Sequence, residues 1–174
     1  MCDLSGQLLY VLEMNPNAAG NIYGLFSTLL LSIFFYYVLE KPSLKWALVV
    51  INVAYFLFAF TNTIFIQKAE INTYSQVFQS LYVLILSILF FYKLIVELPT
   101  QQLQRLPLFW IISAFFLSYA GKLVIYTTTY YLIHFEGDDL TIIWSFHNLL
   151  TIIGNFLIGY GAWLNHKQLK STSL

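Results

Sequence analysis

The sequence predicts an all-α fold, a polytopic transmembrane helix bundle of five spans preceded by a short apolar N-terminal segment. Three observations carry that reading. Charged residues are 9% of the 174 positions, against about 25% in ordinary soluble domains. Hydrophobic residues make up 59% and mean hydropathy is +0.73, more apolar surface than a water-soluble fold of this size can hide. Finally, five apolar runs reach the roughly 20 residues that a helix needs to cross a bilayer core.

Residues 1–19 read as an extracytoplasmic segment. Its apolar part, "LSGQLLYVLEM", is too short to span. It has the character of the end of a helix whose beginning is missing, or of a segment lying on the outer interface. The spans follow at 20–39, 44–66, 74–96, 107–133 and 140–164, and residues 165–174 form a tail. Strands are a poor alternative, since the runs are long and lack two-residue alternation. Pro16, Pro42, Pro99 and Pro107 all fall outside the spans or at the first position of one, as continuous helices require. The same placement argues against the broken helices of many transporters. No internal repeat is visible, and the short loops leave no room for a soluble domain.

Orientation follows from the cations. Lys41, Lys45, Lys93, Arg105, Lys167 and Lys170 gather on one side, whereas Lys68 stands on the other with Asp3, Glu13, Glu70, Glu136, Asp138 and Asp139. This predicts an outside N-terminus and a cytoplasmic C-terminus. Trp46, Trp110 and Trp163 fall near the cytoplasmic boundary and Trp144 near the outer one. Net charge is zero, so nucleic acid is not an implied partner. Cys2 is the one cysteine, which excludes an intrachain disulfide and multi-cysteine metal sites. No signal segment precedes it, so lipoprotein processing is not suggested.

Three stretches, "NIYGLFSTLLLSIFFYYVL" (21–39), "PLFWIISAFFLSYAGKL" (107–123) and "IWSFHNLLTIIGNFLIGYGAW" (143–163), resemble a large, uncharacterised group of small polytopic proteins of the bacterial inner membrane, common in Bacteroidota. Members usually have seven spans. This chain resembles one lacking the first span and most of the second. The resemblance implies a fold and a compartment but no mechanism and no site residues.

Small and polar residues recur at helical spacing. The first span carries Gly20, Gly24, Thr28, Ser32 and Tyr36. The second carries Asn52, Tyr55, Ala59 and Asn62, and the third Gln76, Ser80 and Ser87. The fifth carries His147, Thr151, Asn155, Gly159 and Trp163, with Asn148 beside them. In lipid such stripes let helices approach and hydrogen-bond. Where several meet, they line a polar cavity, and the fifth span is the best candidate to do so.

Lys122 is the one charge far from the ends of a span, uncharged for ten residues on either side. Its position costs about 2.5–3.5 kcal/mol on insertion scales. Helical side chains lean toward their own N-terminus, which for this span is away from the nearer surface. The fourth and fifth spans are joined by a short loop and should be antiparallel neighbours. At 1.5 Å per residue, Thr151 and Asn155 lie about 16 Å and about 22 Å deep, bracketing the level of the ammonium. The expectation is that Lys122 bonds Asn155 and Thr151, with His147 and Asn148 forming an upper layer. No carboxylate shares this depth. Either the amine is neutral, or a bound anion or carbonyl completes the site; otherwise the lysine is satisfied structurally.

Sharper chemistries fit poorly. A retinal-type Schiff base lacks a membrane-embedded carboxylate counter-ion and the usual seven spans. A bis-histidine haem needs matched depths, which His134, His147 and His166 do not have. "HFEGDD" reads as a turn and an acidic helix cap more readily than as a metal site. Mid-membrane Asp, Glu, Cys and Arg are absent, which disfavours an intramembrane enzyme. The sequence therefore implies no cofactor and no catalytic residue. It points to a non-enzymatic membrane-embedded binding or sensing module, with a polar pocket between the last two helices for an unnamed small molecule. The alternative is a transporter-like or structural subunit of a membrane oligomer. Its partners are the bilayer and either a homo-oligomer or a membrane signalling protein.

Overall fold

The computed structural model describes residues 16–66, 73–97, 102–135 and 141–172. These form five α-helices: α1 (Pro16–Val38), α2 (Pro42–Thr61), α3 (Thr73–Glu97), α4 (Pro107–Phe135) and α5 (Thr141–Thr172). No strand occurs among the described residues. Four of the helices, α1 to α4, are long and apolar enough to cross a membrane. α5 is longer still, at 32 residues. The stretch at 4–14 and the run "EGDD" with its following Leu140 lie outside the described residues.

Helix starts follow the prolines. α1, α2 and α4 each begin on one, where the missing N–H costs nothing and the fixed φ suits the first turn. α1 thereby starts a turn earlier than its hydropathy suggested. α2 gives way at Asn62–Ile66 to a π-helical stretch, a departure from the continuous helix expected through 66. Asn62 is fully buried there, and its Nδ2 donates to Ser75 Oγ at 3.3 Å. Beyond α3, Leu103–Arg105 forms one 3₁₀ turn, and Trp110 Nε1 donates to the Gln104 carbonyl at 2.8 Å.

α5 runs to Thr172, through most of the segment read as a tail. Its last turns are rich in helix formers and carry Lys170 near the C-terminus, where the helix dipole favours a cation. A tertiary contact holds them as well: Gln168 Nε2 donates to the Arg105 carbonyl at 2.6 Å.

The chain divides into two compact units, residues 1–79 and 80–174. In the first, α1 and α2 pack with the opening turns of α3, and Phe78 stacks on Tyr55 with centroids 5.5 Å apart. In the second, α4 and α5 make the most extensive helix pair, and Phe91 of α3 meets Phe109 and Phe116 edge-on. Apolar side chains line the outside of the helices: Tyr37, Phe60 and Phe156 are 75%, 66% and 73% exposed. In water that would be an aggregation surface; in hydrocarbon it is the required outer face.

Candidate functional site

The α4–α5 seam sets the surroundings of Lys122. Gly121 lies against Leu150, Gly154 against Ser118, and Gly161 against Ile111 and Pro107. These pairs run in opposite chain directions, so the helices are antiparallel and in register along their length. A Cβ on Gly161 would stand 2.9 Å from the Pro107 carbonyl oxygen. Backbone cannot yield there as a side-chain tip can, so only glycine permits this approach.

At 100° per residue, Lys122 is turned about 40° from Ser118, the centre of the α4 seam face. Measured from Gly154 on α5, His147 and Thr151 are turned about 20° and about 60° in the sense that brings them to the same flank. Asn155 and Asn148 are turned about 100° and about 120°, further outward. Lys122, His147, Thr151 and Asn148 are intermediate in burial, whereas Asn155 is exposed.

The Lys122 ammonium lies 4.6 Å over the ring of Tyr119, one turn back on its own helix and itself buried. That is the direction in which a helical side chain leans, and a ring face attracts a cation. Among the described residues no hydrogen bond joins the ammonium to Asn155 or Thr151, and no carboxylate pairs with it. Thr151 spends its hydroxyl proton on the His147 carbonyl at 2.9 Å. The flank thus offers a cation on an aromatic face, with a histidine and a hydroxyl oxygen across the seam. Such a flank can receive an anionic or carbonyl group.

A second polar region occupies the first unit and is internally bonded. Gln79 Nε2 donates to Ser27 Oγ at 2.6 Å. Ser27 and Thr28 both donate to the Gly24 carbonyl, at 3.0 and 2.8 Å, and Tyr55 shares a side-chain hydrogen bond with Thr28. Ser32 Oγ lies 2.7 Å from the Thr28 carbonyl and 2.9 Å from Asn52 Oδ1. Asn21, Gly24, Tyr55, Ser75 and Gln76 help to line a cavity of about 10 Å³, close to the room that one water needs. Ser27, Ser75 and Gln79 escaped the stripe reading. Ser75 and Gln79 begin a buried face that continues through Leu86, Phe90 and Leu94, and that apolar continuation was the available signal.

Among the described residues no group of three His, Cys, Asp or Glu side chains could hold a metal ion. No protein-family model, curated protein or solved structure matches the chain.

Proposed function

We propose that the protein is a non-catalytic, five-span component of the bacterial inner membrane, with its N-terminus outside and its C-terminus cytoplasmic. In this reading it is a binding or sensing module of the polytopic group noted above. Its ligand is a small molecule with an anionic or carbonyl group, received on the α4–α5 flank at Lys122, Thr151 and His147. Asn148 and Asn155 line the outer approach. The observation that carries the reading is the Lys122 ammonium, set in mid-helix against a ring face with no carboxylate beside it among the described residues. A lysine kept only for packing would be better replaced by methionine in lipid. Support for the fifth span comes from the 32 residues of α5, well beyond the length that a bilayer core requires.

The test is thermal stability of detergent-purified wild type and Lys122→Met, each with a panel of lipids and carboxylate metabolites. A compound that stabilises the wild type and leaves Lys122→Met unmoved supports the pocket. A clear loss of stability in Lys122→Met, with no compound acting on either form, makes the lysine structural and overturns the reading. Cysteine labelling at Lys41 and Lys68 in a Cys2→Ser background checks the orientation, with membrane-impermeant reagent expected to reach only position 68.

One observation favours the alternative, a structural subunit of a membrane oligomer. Asn155 is exposed, and nothing lies within 4 Å of a Cβ built on Gly159 one turn further along. Crosslinking of Gly159→Cys between copies in native membranes would favour that reading.

A further inference from the structure

Beyond the Lys122 flank, we infer a second ligand site: a groove between α1 and α2 that holds an acyl chain of an anionic phospholipid, with its phosphate toward Lys41 and Lys45. The groove encloses about 370 Å³. Leu29, Ile33 and Tyr36 line it from α1; Val49, Val53 and Phe56 line it from α2. Its two polar lining residues, Ser32 and Asn52, are bonded to one another across the helices at 2.9 Å. An apolar chain can therefore lie over them without stranding a polar group. All six lining residues named are exposed to their surroundings, so the groove opens along its side, as entry from a bilayer requires.

One end of the groove is built differently. Lys45 Nζ stands 4.8 Å over the ring of Tyr36, and Tyr36 is itself part of the lining. Lys41 precedes the first turn of α2 and is exposed, and Trp46, exposed by 72%, follows Lys45. Cations and an indole at the level where an apolar groove reaches the interface match a phosphate and a glycerol backbone. Glu40 stands on the same connector and offsets one cation; two lysines against one acid leave this end at +1. The charge therefore favours an anionic over a zwitterionic headgroup.

Native mass spectrometry tests the site, using protein from detergent titrated with phosphatidylglycerol or phosphatidylcholine of the same acyl chains. The wild type should retain phosphatidylglycerol about fivefold better, the preference expected of one net surface cation. Val53→Trp, which fills the groove, should lose the bound lipid. Leu57→Trp, an equal substitution at an exposed α2 position outside the lining, should keep it and controls for folding. Lys41→Gln, which leaves this end neutral, should bind both lipids equally. Equal retention of the two lipids by the wild type would overturn the inference. So would retention by Val53→Trp matching Leu57→Trp, or a dimer that Val53→Trp abolishes, since the occupant would then be a second copy.

Discussion

The two units close their helix seams by different means. In the first, helices are tied by side-chain hydrogen bonds: Ser32 to Asn52, Gln79 to Ser27 and Asn62 to Ser75. In the second, α4 and α5 meet at glycines. Lipid tails are as apolar as leucine, so burial alone drives neither seam; close packing and hydrogen bonding must do so.

The comparison breaks most sharply at Gly161. Gly161→Leu should destabilise the protein by about 3 kcal/mol, read by equilibrium unfolding in mixed micelles, because the Pro107 carbonyl blocks the new side chain. A loss below about 0.5 kcal/mol would mean that the seam is loose. Gln79→Leu in the polar seam should cost less, about 1 kcal/mol, since Ser27 keeps its bond to Gly24. A double-mutant cycle of Ser32→Ala and Asn52→Ala sharpens the same point, with an expected coupling of about 0.6 kcal/mol; additivity would show that the pair does not act as a tie. The smallest effect has the opposite sign. Gly159→Ala, with open space over it, should stabilise by about 0.5 kcal/mol through helix propensity. Destabilisation there would reveal a neighbouring helix on that face.

The helices were legible because lipid removes ambiguity: every backbone group must be satisfied within the segment, so an apolar run of span length has one solution. The prolines then fixed three of the starts. What escaped the sequence depended on differences of one residue or one rotamer. Gln76 and Ser80 were legible as a polar stripe, whereas Ser75 and Gln79, each one position away, were not and also bond between helices. The π-helical stretch at Asn62–Ile66 is invisible to a 3.6-residue pattern. The last turns of α5 are too polar to register as a span, although Gln168 docks them on the 3₁₀ turn. At Lys122 the antiparallel pairing of α4 and α5 was readable. The choice between the ring one turn back and the amide on the next helix was a rotamer question, and the ring receives the ammonium.

The clasp between Gln168 and the Arg105 carbonyl has a mechanical meaning. A 32-residue helix is about 48 Å long at 1.5 Å per residue, against about 30 Å of hydrocarbon. In the proposed five-span reading α5 outreaches the hydrocarbon, continuous from His147 past the aromatic collar of Trp110, Tyr160 and Trp163 to the cations at its end. A tilt of α5 would then displace Lys167 and Lys170, and the clasp would carry the 102–106 connection with them.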